Sequence, residues 1–294
     1  MTSVLVVGEA MIELTSVGDH RLAWSFAGDT LNCAAAIRAA CGDARVDYLT
    51  GLGDDSVSQE FVRFCSQLGV DVSHSPVVVG RNLGLYWIST ENGERDFRYW
   101  RNESAARHVL TGGLRIPQQA YDAVVLSNIT LAVAGDAAGS LVDEMKGAKN
   151  RGALLAFDLN YRANLWPSVA EATRAAEAAL AVVDIVVASE EDISALWSEN
   201  AEAFSNRAAA SGVAETVITR GPGPITVSTS DRRWHIDPPE VQAVDTTGAG
   251  DAFMGTYVAG RLCDQTPATA ALEAATVASN VVQEHGALTY LLDR

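Results

Sequence analysis

The chain has 294 residues, 48% of them hydrophobic, which is enough for one large α/β domain with a small appendage and an ample core. Its 37 acidic and 21 basic residues give a formal net charge of −16, which disfavours nucleic acid or an anionic membrane surface as a partner. The N-terminal segment lacks the features of a signal peptide and no apolar run is long enough to cross a membrane, so a cytoplasmic protein is predicted.

Short runs rich in β-branched residues alternate with segments of helical periodicity along most of the chain. Strands are predicted at residues 4–7, 46–49, 124–126, 154–157, 185–187 and 216–218. Helices are predicted at residues 31–40, 61–68, 137–149, 170–180, 201–210 and 254–262. The alternation indicates a doubly wound α/β fold, with a mainly parallel sheet and helices on both of its faces. Because no linker or repeat interrupts it, residues 1–294 are predicted to form a single domain.

Two stretches break this alternation, at residues 12–26 and 83–101. Both have the alternating polarity of extended strands, and the second contains a Glu-Asn-Gly turn at residues 91–93. The second stretch ends on Tyr99-Trp100-Arg101, an aromatic and basic cluster that would be unusual on a surface without a ligand. Their residues alone leave open that the two stretches are hairpins at an edge of the main sheet.

Polar residues follow several predicted strands, at the edge of the sheet where ligands bind in doubly wound folds. Residues 28–32, Gly-Asp-Thr-Leu-Asn, open the first helix, and their spacing alone favours Asp29 and Asn32 as capping residues. Residues 158–162, Asp-Leu-Asn-Tyr-Arg, directly follow the fourth predicted strand, and a functional role is favoured for them. Residues 219–223 contain an arginine and exposed amides that suit nucleotide phosphates.

Residues 245–253, Asp-Thr-Thr-Gly-Ala-Gly-Asp-Ala-Phe, come just before the last predicted helix. Gly248, Ala249 and Gly250 leave backbone amides uncovered where that helix begins. The helix dipole adds partial positive charge there, so the turn suits an anion. A carboxylate beside that anion is unfavourable unless it is needed, and Asp251 suits a base that takes a proton from a hydroxyl attacking a phosphoryl group. For an isolated Gly-Ala-Gly-Asp, an ordinary acidic first-turn residue is the alternative.

These nine residues resemble the C-terminal signature of the ribokinase-like (PfkB) family of small-molecule kinases. Other common nucleotide signatures, among them GxxxxGK[ST], HRD and DFG, are missing from the chain. The resemblance implies ATP as the phosphoryl donor and a ribokinase-like fold, in which the two interrupting stretches form a small β-sheet lid over the active site. By position, it makes Gly248, Ala249 and Gly250 the anion hole and Asp251 the catalytic base.

Seven further segments resemble, in family order, the 2-keto-3-deoxygluconate kinase branch of that family. They are GEAMIEL at 8–14, AGDTLNCA at 27–34, GLYWIST at 84–90, GERDFRYWRNESAAR at 93–107, LSNITLA at 126–132, FDLNYRANLW at 157–166 and ASEEDISALW at 188–197. The likeness therefore extends over nearly the whole chain, which makes it far more specific than one motif.

The resemblance implies two groups of site residues. The sugar acid would be held by Gly28, Asp29, Asn32, Tyr86, Tyr99, Arg101 and Arg162. The two arginines would pair with its carboxylate, a task that suits the guanidinium fork. The nucleotide would be held by Asn160, Ser189, Arg220, Gly221, Gly223, Gly248, Gly250 and Asn280.

Two departures from the family pattern limit what the resemblance implies. Thr30 stands where the family usually has a small residue, and Ser189-Glu190-Glu191-Asp192 stands where it usually has Asn-x-x-Glu, a segment linked to magnesium and phosphate handling. The metal-organising carboxylate is therefore left open among the three acidic residues, which serve equally well as the acidic first turn of a helix. Magnesium is expected as the counter-ion of ATP, and activation by potassium is left open.

The expected function is ATP- and Mg²⁺-dependent phosphorylation of 2-keto-3-deoxy-D-gluconate at its C6 hydroxyl, with the lid closing over the substrate. The alternatives are a kinase for a neutral sugar such as fructose or for a nucleoside, and a non-catalytic regulator that binds a sugar acid. The C4 epimer of the substrate is not distinguished. A lid with an apolar outer face, carrying Leu85 and Trp87, favours a homo-oligomer, a dimer or larger.

Overall fold

The structure, a computed structural model, describes residues 2–18, 20–91 and 94–292. Its strands in chain order are β1 (Ser3–Val7), β2 (Met11–Ser16), β3 (Leu22–Ala27), β4 (Arg45–Leu49), β5 (Leu52–Gly53), β6 (Val70–Asp71), β7 (Val77–Val78), β8 (Gly84–Glu91), β9 (Glu94–Trp100), β10 (Ala123–Ser127), β11 (Leu154–Asp158), β12 (Ile185–Ser189), β13 (Glu215–Arg220), β14 (Gly223–Ser228) and β15 (Arg233–Ile236). Residues 92 and 93 of the predicted Glu-Asn-Gly turn lie outside the described residues.

The helices in chain order are α1 (Asp29–Ala40), α2 (Ser56–Gln67), α3 (Ala105–Thr111), α4 (Asn128–Ala134), α5 (Ala138–Asn150), α6 (Val169–Leu180), α7 (Glu190–Trp197), α8 (Ala201–Ala210), α9 (Ala249–Leu262), α10 (Pro267–Val281) and α11 (Thr289–Leu292). Each predicted strand and helix is present, with ends displaced by a few residues. No helix of the described residues is both long and apolar enough to cross a membrane.

Nine strands form the main sheet, in the order β15-β14-β13-β12-β11-β10-β1-β4-β6. Neighbouring strands are parallel except at the β13-β14-β15 edge, where β14 runs antiparallel to both neighbours. The predicted mainly parallel, doubly wound sheet is thus confirmed. The chain leaves β1 on one side for β4 and β6, and then continues from β10 on the other side. The point where the strand order reverses therefore lies between β1 and β10, where such folds open a cleft at the carboxyl ends of the strands.

Both faces of the main sheet are covered, as the continuous apolar runs of its central strands require. Alternate residues of β1 belong to different apolar clusters, because successive side chains of a strand point to opposite faces. Val4 and Val6 pack with helices α1, α2, α9 and α10. Leu5 and Val7 pack with helices α3 to α8. Two apolar layers thus fix the central strands, and with them the positions of the loops at their carboxyl ends.

The two interrupting stretches form a separate sheet in the order β3-β2-β8-β9. The alternative that they are edge hairpins of the main sheet is therefore excluded, and the small lid sheet implied by the family resemblance is confirmed. Parallel pairing of β2 with β8 joins the two stretches, with Met11 opposite Gly84 and Thr15 opposite Ile88. Such pairing between segments distant in the chain leaves no local pattern in the sequence.

Helices α1 and α9 pack unusually closely, and a glycine makes this possible. A β-carbon on Gly255 of α9 would lie 2.4 Å from the backbone oxygen of Cys33 and 2.8 Å from the β-carbon of Ala36, both on α1. Contacts this short do not occur between real atoms, so any larger residue would push the two helices apart.

We predict that Gly255→Ala lowers the free energy of unfolding by about 1–3 kcal/mol, because the added methyl overpacks the α1–α9 contact. The matched control is Gly139→Ala in α5, where nothing lies within 4 Å of the added β-carbon. That change should be neutral or stabilising by up to about 1 kcal/mol, since alanine favours helix. Denaturant unfolding of the two variants checks the prediction, and equal effects would contradict it.

Candidate active site

A cavity of about 810 Å³ lies where the carboxyl ends of the central strands face the lid. It brings together most of the residues that the sequence analysis named: Gly28, Asp29, Asn32, Tyr86, Tyr99, Arg101, Asn160, Arg162, Ser189, Gly248, Gly250 and Asp251. The remaining predicted residues, Ala249, Arg220, Gly221, Gly223 and Asn280, do not line this cavity. Residues from both lid segments and from four strand ends of the main sheet thus converge on one space.

The predicted anion-binding turn is the start of α9. Gly248 occupies the N-cap position with φ of 79°, a left-handed conformation that suits glycine. A β-carbon there would also lie 2.3 Å from that of Ala287. Asp245 shapes the approach to the helix, because its carboxylate accepts hydrogen bonds from the amides of Thr247 (2.9 Å) and Gly286 (3.2 Å). The amide of Ala249 donates to the backbone oxygen of Thr246 at 3.4 Å, and the first turn of α9 brings the positive end of the helix dipole to the cavity.

Asp251 carries the carboxylate in the first turn of α9. Asn32 of α1 donates a hydrogen bond from Nδ2 to its Oδ2, at 2.8 Å. Burial and, to a smaller extent, the charge of Asp29 raise the pKa of Asp251 to about 7, against the opposing effects of the Asn32 hydrogen bond and the charge of Arg162. A carboxylate with a pKa near the working pH is suited to accept a proton and to release it again.

The prediction that Asp29 and Asn32 are capping residues was wrong. Gly28 is the N-cap of α1, and no side chain forms a capping hydrogen bond there. Asp29 instead accepts hydrogen bonds at Oδ2 from the hydroxyl of Ser127 and, at 3.4 Å, from the amide of Asn160. Both side chains line the cavity, Asp29 bonded to residues at the ends of β10 and β11 and Asn32 bonded to Asp251 of α9.

Asp158, at the carboxyl end of β11, adds a third carboxylate to this part of the cavity. Burial raises its pKa well above the usual range, and the charges of Asp251 and Asp29 raise it further, against the charge of Arg162. Carboxylates this close cannot all be ionised at neutral pH without a nearby cation. The cluster therefore suits a ligand that brings hydroxyl groups or a cation with it.

Arg101 and Arg162 line the cavity from different parts of the chain, and they differ in burial and in their hydrogen-bond partners. Arg162 is exposed, and its Nη1 donates to the backbone oxygen of Tyr161 at 2.9 Å. Arg101 is buried, and its guanidinium lies over the ring of Tyr99, 5.8 Å from the centroid. Nε of Arg101 donates to Glu9 Oε2 at 2.8 Å, and Nη2 donates to the same oxygen.

Sequence analysis did not single out Glu9. Its side chain lines the cavity just beyond β1, and the residue is 2% exposed. A carboxylate directly after a central parallel strand was the signal that could have identified it, since ligands bind at that edge. Because a buried charge needs a partner, a basic residue from elsewhere in the chain was also to be expected.

The lid contributes an aromatic wall to the cavity. Tyr86 and Tyr99 lie opposite each other in the β8–β9 ladder, and their ring centroids are 5.7 Å apart. The hydroxyl of Tyr86 donates to Oε2 of Glu13, its neighbour on β2. Leu85 and Trp87 alternate with Tyr86 along β8 and so occupy the opposite face of the lid, as predicted, although both are half-buried.

The predicted nucleotide residues are spread more widely. Ser189 lines the cavity and caps α7, accepting a hydrogen bond from the amide of Asp192 at 3.0 Å. Residues 220–223 form the tight connection between β13 and β14 and do not line the cavity. The preceding residue, Thr219, does line it. Asn280 is exposed near the end of α10. The roles of these residues remain predictions.

The structure distinguishes among the three acidic residues that follow Ser189 as candidates for organising a metal ion. Oε2 of Glu190 accepts a hydrogen bond from Nε of Arg220 at 3.1 Å, and Glu190 does not line the cavity. Glu191 and Asp192 do line it. No group of three or more His, Cys, Asp or Glu residues in the described part of the chain is arranged to enclose a metal ion.

We predict that Asp251 titrates near pH 7 in the ligand-free protein, as its burial and the Asp29 charge require. Asp29→Asn removes that neighbouring negative charge, so the Asp251 pKa should fall. A carboxyl ¹³C NMR titration of aspartate-labelled protein measures both. A pKa near the usual value of about 4, or one that Asp29→Asn leaves unchanged, would contradict this account of the site.

Comparison with known proteins identifies the family to which the chain belongs. Residues 1–293 match the family model described as pfkB family carbohydrate kinase. Among curated relatives, the chain is 36% identical over 299 residues to the 2-dehydro-3-deoxygluconokinase of Dickeya dadantii (strain 3937), covering 97% of this chain and 96% of the relative. That name is a synonym of 2-keto-3-deoxygluconate kinase.

Solved structures show the same fold. The 2-dehydro-3-deoxygluconokinase of Thermotoga maritima superposes with a TM-score of 0.85 at 21% identity, covering 98% of this chain and 95% of that one. The fructokinase of Xylella fastidiosa with bound ATP superposes with a TM-score of 0.84 at 22% identity, covering 98% and 94%. At these identities the likeness establishes the fold and leaves the substrate to other arguments.

Proposed function

Because the chain belongs to the pfkB family of carbohydrate kinases, we propose that it transfers the γ-phosphoryl group of ATP to the C6 hydroxyl of 2-keto-3-deoxy-D-gluconate. The products are 2-keto-3-deoxy-6-phosphogluconate and ADP. Relatives named for this activity match nearly the whole chain at 36% and 34% identity, whereas a fructokinase relative matches at 26%. The proposal accounts for a cavity that combines a base, an anion-binding helix start and two arginines.

One observation carries the proposal: the Asp251 carboxylate lies in the first turn of α9, in the cavity that Arg101 and Arg162 also line. A base beside an anion-binding helix start suits phosphoryl transfer to a hydroxyl. Two guanidinium groups suit the carboxylate of an acid substrate. A sugar acid offers both features, a hydroxyl at one end and a carboxylate at the other.

Asp251 is the base in this mechanism. Its pKa of about 7 leaves a large share of the carboxylate ionised at neutral pH and still basic enough to take the proton of the attacking hydroxyl. The amide of Asn32 holds Oδ2 and so restricts the orientation of the carboxylate. The other carboxylate oxygen is left to face the hydroxyl.

The start of α9 provides the second component. Its first-turn amides lie beside Asp251 and are set by the left-handed turn at Gly248. Because their positions are fixed before the substrate binds, they stabilise negative charge on the transferring phosphoryl group without reorganisation. The lid wall of Tyr86 and Tyr99 limits access of water to the reacting groups.

Magnesium fits this site as a nucleotide-bound ion. Mg²⁺ usually keeps several waters and binds through one or two carboxylates together with substrate phosphates, so an enclosed protein site is not needed. Glu191 and Asp192 line the cavity and would hold it, while Glu190 is engaged with Arg220. When bound, the ion neutralises charge on the nucleotide phosphates.

We also propose that the enzyme acts in the cytoplasm as a homo-oligomer. Use of ATP as donor supports action in the cytoplasm. The lid face opposite the cavity carries Trp24 and Trp100, which are 49% and 58% exposed, and this apolar surface supports a homo-oligomer. Activation by potassium is tested by exchanging sodium for potassium in the assay below.

A coupled assay of ADP formation tests the substrate. The panel contains 2-keto-3-deoxygluconate, its C4 epimer, fructose and a nucleoside, each with Mg²⁺ and ATP. We expect the two keto acids to be turned over with kcat/KM far above that of the neutral compounds. Preference for fructose would overturn the sugar-acid proposal and leave the family assignment intact.

Asp251→Asn keeps the shape of the side chain and removes the proton acceptor, so kcat should fall by about 10²- to 10⁴-fold with little change in substrate Kd. In the unmodified enzyme, kcat/KM should fall as the pH drops through about 7, because the base becomes protonated. Rapid-quench and steady-state kinetics measure both. Retention of more than about a tenth of the activity would assign the base to another group, with Asp158 next by position.

Arg162→Ala should lower kcat/KM for 2-keto-3-deoxygluconate by about 10- to 150-fold, the loss expected for a hydrogen bond to a charged group. Any side activity on fructose should scarcely change, because fructose has no carboxylate to lose. Arg162 is the cleaner probe of the two arginines, since truncating Arg101 would also leave Glu9 buried without its partner. Equal losses on the acid and the neutral sugar would show a structural or nucleotide role.

A further inference from the structure

Glu9 joins the core of the protein to the base of the lid. It follows β1, a central strand of the main sheet, and is 2% exposed. Its Oε2 accepts from Nε and Nη2 of Arg101, which directly follows the last lid strand. Its Oε1 accepts from the hydroxyl of Ser104 at 2.6 Å, and Ser104 is the N-cap of α3. One buried carboxylate thus holds two residues just beyond the lid.

The other end of the lid also packs against Glu9. Gly84 is the first residue of β8, and a β-carbon there would lie 2.6 Å from Oε1 of Glu9 and 3.4 Å from the β-carbon of Arg101. The space at the lid base is therefore filled by Glu9 and Arg101. Any side chain at residue 84 would therefore press on the Glu9 carboxylate.

The guanidinium group of Arg101 has five N–H donors in a fixed plane. Glu9 engages the edge formed by Nε and Nη2. The end formed by Nη1 and the second Nη2 hydrogen has no acceptor among the described residues, and Arg101 lines the cavity. That end has the spacing that binds a planar carboxylate through two parallel hydrogen bonds.

We propose that Glu9 is a positioning residue that holds the free end of the Arg101 guanidinium in place for the carboxylate of the sugar acid. This inference rests on the proposed function. A long arginine side chain otherwise loses rotamer freedom on binding, which weakens the ligand contact. The Glu9 charge also balances Arg101 while the cavity is empty, so the arginine can stay buried before the acid arrives.

Two other roles for Glu9 make different predictions. A purely structural role would change stability without a selective effect on acid binding. Direct contact with a substrate hydroxyl would act without Arg101. The experiment therefore separates acid binding from nucleotide binding, and tests whether the effect of Glu9 depends on Arg101.

We expect Glu9→Ala to raise the KM and the calorimetric Kd for 2-keto-3-deoxygluconate by about 10-fold or more, with the KM for ATP changed less than about threefold. Glu9→Gln keeps an acceptor for Arg101 and should restore acid binding to within about threefold of the unmodified enzyme. The matched control is Glu103→Ala, which breaks the exposed Arg81–Glu103 pair close to Arg101 and should change neither constant. An unchanged Kd for the acid in Glu9→Ala would overturn the proposal.

A double-variant cycle tests dependence on Arg101. In an Arg101→Met background, Glu9→Ala should weaken acid binding no further, because the residue through which Glu9 acts is gone. A further loss of the same size would overturn the proposal in favour of direct contact. If Glu9→Ala fails to fold, Gly84→Ala supplies the second test: its methyl displaces the Glu9 carboxylate and should raise the acid Kd in the same direction. An unchanged Kd in a folded Gly84→Ala would contradict the inference.

Calorimetry separates this inference from the proposed function. Unmodified enzyme that binds the acid but forms no ADP with it would refute the kinase activity on that substrate, and the Glu9 variants would still test positioning through Kd. Unmodified enzyme that binds no sugar acid at all would overturn both.

Discussion

Helices α1 and α9 approach so closely that the backbone oxygen of Cys33 lies 2.4 Å from where a β-carbon of Gly255 would be. This contact sets the geometry of the site, because the first turns of the two helices carry the hydrogen-bonded side chains Asn32 and Asp251. Asn32 on α1 and Asp251 on α9 meet at 2.8 Å, although 219 residues separate them in the chain. The same packing fixes the start of α9, so the proposed base and the proposed anion site keep a constant relative position.

The cavity balances charges of both signs. Burial raises the pKa of Asp158 and of Asp251, the charge of Asp29 raises both further, and the charge of Arg162 lowers both. With a net charge of −16, the protein as a whole repels an anionic substrate, so recognition of a carboxylate and of phosphates has to be local. Arginine side chains and the start of α9 supply local positive potential, while burial and the charge of Asp29 raise the pKa of Asp251 to about 7.

The lid is attached to the core beside a buried pair of opposite charges, Glu9 and Arg101. Both β8 and β9 meet the core beside Glu9, and the Glu9–Arg101 pair occupies the space between them. A rigid attachment at its base and an aromatic wall further out suit a cover that moves as a unit over a small ligand. The same pair holds a basic side chain from the end of the lid in the cavity wall.

Much of the fold could be predicted because the central strands are buried on both faces. Continuous β-branched runs such as residues 185–187 can be recognised without tertiary information, as can the small residues and the aspartate at residues 248–251. The sequence by itself therefore determined the parallel sheet and the family resemblance, and from these it predicted Asp251 as the base. The short and antiparallel strands at the sheet edge, and the pairing of β2 with β8, escaped prediction because their partners are distant in the chain or their runs are brief.

Only the tertiary structure decided how the side chains pair. The spacing of Asp29 and Asn32 predicted that they cap α1. Because α1 packs against β10 and α9, Asp29 instead accepts a hydrogen bond from Ser127, and Asn32 donates one to Asp251. Glu9 was passed over because its partner is 92 residues away. A carboxylate or a guanidinium has the same sequence signature on a surface as in a buried pair. What distinguishes them is burial, which removes water and obliges each charge to find a partner, and burial is a property of the folded chain.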